Sequence, residues 1–148
     1  MHITKTESSG VIVYWGKQKQ YKEIIIEISS AHENKNNKLY QIISNFYDVD
    51  AEIEKKGNIQ TICGKIIEKS GLNLFNERGN PLCHQFSPYG VTYMAGLKES
   101  HLIVHTWPET QFVSIDIYSC EGKEKAEKAY KLFIEKLRPS KIEKIIYK

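Results

Sequence analysis

Between Tyr89 and Cys120 the chain reads YGVTYMAGLKESHLIVHTWPETQFVSIDIYSC. It carries a Glu-Ser junction at Glu99-Ser100, two histidines at His101 and His105, a Trp-Pro-Glu turn at Trp107 to Glu109, and a thiol at Cys120. Serine and cysteine are nucleophile types, and histidine, glutamate and cysteine can move protons near neutral pH. Core formation asks for none of this mixture, so the stretch marks a candidate active site.

Each residue alone also has a plainer reading. His105 fits a satisfied strand histidine, Cys120 a small buried hydrophobe, Trp107 a packing residue before Pro108, and Glu109 a turn carboxylate. For His101, Cys83 and His84 the plainer reading is kept. A zinc site built from His84, His101, His105, Cys83 and Cys120 is disfavoured because no pair has the short ligand spacing on a firm turn that such sites use. No metal is expected.

Three strands must position these groups: Val91 to Leu97, His101 to Trp107 and Phe112 to Tyr118, joined by connections short enough for antiparallel hairpins. A turn centred near Glu109 pairs residues whose numbers sum to about 218, which brings Cys120 back to the Glu99-Ser100 junction. A turn at Glu99 sets Thr92 beside the strand carrying His105. Pairing thus predicts that Ser100, His105, Thr92 and Cys120 converge on a small region. Alternation puts His101, Ile103, His105 and Trp107 on one face and Ser100 nominally on the other. A bend or bulge at Glu99-Ser100 resolves that conflict.

The remaining elements follow from periodicity and punctuation. Val11 to Trp15 reads as an extra edge strand or a loosely held arm, and Lys22 to Ser29 as a strand with three consecutive isoleucines. Ala31 to Asn37 reads as loop. Leu39, Ile42, Ile43 and Phe46 recur at helical spacing and predict a short amphipathic helix. Asn58 is the expected cap of a second helix with an Ile59, Ile62, Cys63, Ile66 and Ile67 stripe, closed by Gly71. Leu72 to Phe75 reads as a strand and Asn76 to Pro81 as a turn. Lys123 to Leu137 is a helix stopped at Arg138-Pro139, and Ile142 to Tyr147 is a last strand. The sum is an α+β two-layer sandwich, a mainly antiparallel sheet covered by helices on one face.

Composition bounds the rest. The 148 residues suit a single domain with its own core, and 41% hydrophobic and 26% charged residues are ordinary for a globular chain. A net charge of +3, spread out, predicts no nucleic-acid partner. Three cysteines match no zinc or redox motif, and neither a membrane span nor a signal core is visible, so a cytoplasmic protein with reduced thiols is expected.

Three linked segments, HQFSPYGVT (His84 to Thr92), KESHLIVHTWPE (Lys98 to Glu109) and DIYSC (Asp116 to Cys120), resemble the prokaryotic S-adenosylmethionine decarboxylase proenzymes. The resemblance implies a zymogen that makes its own cofactor. The Ser100 hydroxyl attacks the Glu99 carbonyl, and the ester breaks with help from His105 and Thr92. The products are a β chain, 1–99, and an α chain, 100–148, that begins with a pyruvoyl group made from Ser100. That carbonyl takes the amine of S-adenosylmethionine as a Schiff base and acts as electron sink. Cys120 matches the family's proton donor, Phe86 and Trp107 its adenine-stacking aromatics, and Glu109 its ribose carboxylate. The product is the aminopropyl donor for spermidine, a polyamine.

The resemblance further implies a homodimer of processed αβ protomers with active sites near the subunit interface. Departures are Lys98 where alanine is common, Glu121 where glycine usually follows the cysteine, and an N-terminal extension. The alternatives are a pyruvoyl-dependent ornithine or arginine decarboxylase of the same descent, or a non-catalytic homologue that binds a partner.

Overall fold

The computed structural model describes residues 1–29 and 39–148. In chain order the elements are β1 (His2–Tyr14), β2 (Lys17–Ser29), β3 (Tyr40–Tyr47), α1 (Lys56–Ser70), β4 (Leu82–Gln85), β5 (Val91–Leu97), β6 (Ser100–Trp107), β7 (Phe112–Ser119), α2 (Lys123–Leu137) and β8 (Lys141–Tyr147). The strands form one sheet in the order β1-β2-β8-β3-β7-β6-β5-β4. Among the described residues only the β2–β8 pair is parallel. Helices α1 and α2 pack on each other and on the sheet, which makes the expected α+β two-layer arrangement.

Alternation decides which side chains enter the core. Val91, Tyr93, Ala95 and Leu97 of β5, Leu102 and Val104 of β6, and Val113, Ile115 and Ile117 of β7 are buried toward the helices. From α2, Ala126, Ala129, Tyr130, Phe133 and Leu137 meet them, as the helical spacing requires. Residues of the opposite parity, among them Ile43, Ile103 and Ile145, are only half-buried on the sheet's open face.

The helix expected at Leu39 to Phe46 is instead β3, a central strand between β7 and β8. Tyr40, Ile42, Ser44 and Phe46 are buried in strict alternation. A central strand carries apolar residues on both faces, so Ile43 beside Ile42 imitated a helical stripe. β-Branched propensity and two waiting strand partners outweigh that local pattern.

Smaller differences have equally local causes. Of the two readings of Val11 to Trp15, the edge strand holds: Val11 to Tyr14 end the long edge strand β1 and Trp15 begins the turn, while the polar first half of β1 becomes a strand because β2 pairs along it. Leu72 to Phe75 makes one isolated bridge, Leu74 to Leu97. β4 was not anticipated. Asn58 does not cap α1, which begins at Lys56; its side chain bonds the Glu52 carboxylate at 2.9 Å. Gly71 does close α1 in the left-handed region (φ 80°). The Ala31 to Asn37 loop lies outside the described residues.

One charged pair sits within the helix-facing layer. Lys144 of β8, 5% exposed, places Nζ 2.9 and 2.8 Å from the two carboxylate oxygens of Glu127 on α2, and 4.0 Å above the Tyr130 ring. Tyr40 donates to the same carboxylate, and Tyr130 donates to Glu23 of β2. The N-terminal hairpin is thereby tied to α2. Removing one partner leaves a desolvated charge, so Glu127→Ala is expected to cost about 3–5 kcal/mol in urea unfolding, and Lys144→Met combined with Glu127→Leu to recover most of it.

Candidate active site

The β5–β6 connection is a two-residue turn, Lys98-Glu99, closed by the Leu97–Ser100 pair. Glu99 lies in the left-handed region at φ 58°, where its Cβ crowds the backbone at a cost on the order of 1 kcal/mol. The turn does not carry Ser100 onto the face of His105, as a bend or bulge was expected to do: Ser100 pairs in unbroken register and keeps the parity of Leu102 and Val104. The turn is braced from outside, since Lys98 N–H donates to the Asn73 carbonyl at 2.9 Å and Asn80 grips both the N–H and the carbonyl of Gly96.

The second hairpin pairs residues whose numbers sum to 219, as in His101–Tyr118 and Trp107–Phe112. Cys120 accordingly returns to Ser100, and its N–H donates to Ser100 Oγ at 3.1 Å. The Glu99-Ser100 bond, the serine hydroxyl and the Cys120 residue form one cluster. Glu121 is accommodated beside it by an ion pair with Lys125, which holds the Glu121 carboxyl below the usual carboxylate range.

Thr92 lies directly opposite His105, with Oγ1 2.9 Å from Nδ1. That bond orients the imidazole and leaves Nε2 for proton exchange. A cavity of about 440 Å³ opens here, lined by Phe86, Tyr89, Thr92, His105, Trp107 and Glu109 among others. Trp107 is 41% and Phe86 49% exposed, so both rings offer apolar surface that a flat ligand can cover. Hollows of similar volume over the β1–β2 hairpin combine no base with aromatic walls.

The four residues expected in one small region therefore separate into two pairs. Ser100 and Cys120 sit at one end of β6, while Thr92 and His105 sit near the other with Phe86, Trp107 and Glu109. Five residues of extended strand between Ser100 and His105 span about 17 Å. Pairing arithmetic located each residue's cross-strand neighbour but ignored distance along the strand. Alternation does place His101, Ile103 and His105 on the open face, with Leu102 and Val104 buried.

His101 bonds the Asp116 carboxylate at 3.1 Å and stacks on Tyr118. Burial raises the Cys63 and Cys83 thiols above their ordinary value, which makes both poor nucleophiles. Among the described residues no cluster of His, Cys, Asp or Glu suits a metal, and no helix is long and apolar enough to cross a membrane. Sequence reasoning missed Tyr89 as a lining residue; its place in the SPYG turn beside Phe86 was the available signal.

Similarity to known proteins extends over most of the chain. The family described as S-adenosylmethionine decarboxylase matches residues 40–147. An S-adenosylmethionine decarboxylase proenzyme of Archaeoglobus fulgidus is 38% identical over 99 residues, covering 66% of this chain and 85% of that protein. One from a Sulfurihydrogenibium species is 35% identical over 106 residues, 71% of this chain and 77% of that one. The crystal structure of the adenosylmethionine decarboxylase of Aquifex aeolicus superposes with a TM-score of 0.68 at 28% identity, covering 74% of this chain and 88% of that one.

The bend at Glu99 is directly measurable. In a Ser100→Ala background, Glu99→Gly removes the left-handed cost and is expected to raise stability by about 0.5–1 kcal/mol in urea unfolding, whereas Lys98→Gly is not.

Proposed function

The chain belongs to the S-adenosylmethionine decarboxylase family, and on that premise we propose that it is a self-processing, pyruvoyl-dependent S-adenosylmethionine decarboxylase. The observation that carries the processing step is Glu99 in the left-handed region immediately before a serine whose hydroxyl is held in the Cys120 cluster. Ser100 Oγ attacks the Glu99 carbonyl carbon; the C–O bond forms, the C–N bond breaks, and the nitrogen takes the hydroxyl proton. A base then removes the Cα proton of Ser100 and expels the Glu99 carboxylate. Hydrolysis of the resulting enamine releases ammonia and leaves a β chain, 1–99, and an α chain, 100–148. The fit is good, because the residue to be converted already lies against Cys120 and becomes the first residue of β6 once the turn is cut.

Once formed, the pyruvoyl group supplies an electron sink for loss of carbon dioxide. Cys120, whose backbone contacts Ser100, is the donor that returns a proton to the substrate carbon. Phe86 and Trp107 stack the adenine, with attraction between the rings and the sulfonium charge, and Glu109 binds the ribose hydroxyls. Ornithine and arginine have no nucleoside to cover both rings, so the extent of aromatic surface favours S-adenosylmethionine over them. Three unpaired cysteines suit a reducing cytoplasm.

The separation of the half-sites supports a homodimer. His105 cannot reach the Ser100 of its own strand across about 17 Å. A second copy laid on the open face about a two-fold axis near the middle of β6 brings the Ser100 end of one protomer to the Thr92–His105 end of the other. The half-buried Ile43, Ile103 and Ile145 suit such a contact.

The purified chain is expected to run as two fragments on a denaturing gel and to release carbon dioxide from S-adenosylmethionine but not from ornithine or arginine. Ser100→Ala is expected to stay whole, and a whole unsubstituted chain sinks the reading. His105→Ala is expected to slow scission at least about tenfold. Co-expressed with Ser100→Ala, the His105→Ala chains are expected to be cut in mixed dimers; failure of that rescue counts against the shared site.

A further inference from the structure

Gln85 ends β4 immediately before Phe86, and its side-chain amide is bonded throughout to backbone. Oε1 accepts the Lys56 N–H at 2.8 Å. Nε2 donates to the carbonyls of Glu54 at 2.8 Å, Gly90 at 2.9 Å and Phe86 at 3.1 Å. Two amide protons thus serve three acceptors on two separate segments, the approach to α1 and the Phe86 to Gly90 loop. Two backbone bonds complete the knot: Phe86 N–H to the Gly90 carbonyl at 2.9 Å, and Gly90 N–H to the Glu54 carbonyl at 3.2 Å.

The loop held in this way carries its aromatic rings outside the core. Phe86 is 49% and Tyr89 56% exposed, so their positions depend on the backbone beneath them more than on apolar packing. Gly90 sits at φ 108°, and a Cβ there would lie 3.3 Å from the Thr106 carbonyl oxygen. The loop therefore presses against β6 beside Trp107, and a small displacement of it changes the width of the aromatic cavity.

We propose that Gln85 is a positioning residue for substrate affinity: its amide clamps the Phe86 to Gly90 loop so that Phe86 and Tyr89 are held ready for a flat purine ring. Gln85 takes no part in scission or decarboxylation, since its hydrogen-bonding groups face backbone and none is left for substrate. This rests on the decarboxylase reading for the identity of the ligand. Glutamate has the same shape but turns the donor nitrogen into an oxygen facing three carbonyl oxygens, which undoes the clamp while retaining the acceptor for Lys56 N–H.

The test compares the unsubstituted protein with Gln85→Glu, Phe86→Ala and the double variant, titrated calorimetrically with 5′-methylthioadenosine and assayed for scission and carbon dioxide release. Gln85→Glu is expected to weaken nucleoside binding and raise KM by roughly tenfold, the worth of one or two lost hydrogen bonds, with kcat within about threefold and scission complete. In the Phe86→Ala background it is expected to add less than about twofold, because the two residues act through one element. Gln85→Met, uncharged and of similar length, is expected to move affinity in the same direction and guards against a folding defect from the new charge. Equal affinity in Gln85→Glu and the unsubstituted protein, or fully additive losses in the double variant, overturns the inference. An unsubstituted protein that binds no nucleoside overturns the substrate reading as well.

Discussion

The register of β6 against its two neighbours is the constraint on which the site depends. On one side Leu97 pairs with Ser100 and Thr92 with His105; on the other, His101 pairs with Tyr118 and the chain runs on to Cys120. A slip of one residue would turn His105 toward α2 and carry Leu102 and Val104 out of the core. Burial of that apolar face holds the register, so the same packing that stabilises the sheet also sets the Ser100 hydroxyl against the Cys120 N–H and the His105 imidazole against Thr92. The two-residue turn then follows by arithmetic: with Leu97 opposite Ser100, Lys98 and Glu99 alone must reverse the chain, and one of them is driven to positive φ.

The N-terminal hairpin bears on this frame from the far edge. The family match begins at Tyr40, so β1 and β2 lie outside the matched span, and β2 pairs in parallel with β8. An edge strand with unpaired backbone groups invites association with another chain. Here β2 covers the β8 edge, and the Glu23–Tyr130 contact joins it to the Lys144–Glu127 pair inside. β8 in turn supports β3, and β3 supports β7, the strand that leads to Cys120. The extension thus stabilises the site's scaffold without approaching the site.

Much of the site was legible because hairpin pairing is an integer problem. The turn at Glu99 and the turn near Glu109 fixed the neighbours of Thr92 and Ser100, and those neighbours are His105 and Cys120. What pairing could not convey was separation along β6, so two half-sites were compressed into one. The helix α2 was legible from its stripe and its Arg138-Pro139 stop, and Gly71 from its role as a left-handed cap. β3 was not, because Leu39, Ile42, Ile43 and Phe46 satisfy both periods and only the flanking strands decide between them. Gln85 left no trace in any period, since its effect runs through backbone carbonyls brought together by the fold.

The separated half-sites and the bend at Glu99 make sense together. On the proposed reading, a chain that carried its own base beside the scissile bond would begin to cut itself as soon as the β5–β6 hairpin closed, before the core around it had formed. With His105 about 17 Å away on the same strand, a single protomer on the proposed reading keeps the bond intact. In the proposed dimer the base arrives only when two finished sheets meet face to face, and scission becomes conditional on folding and assembly. The left-handed residue then lowers the barrier only modestly, by an amount on the order of its 1 kcal/mol of strain, while the positioned base supplies the larger share. In that proposal strain marks which bond breaks, and assembly decides when.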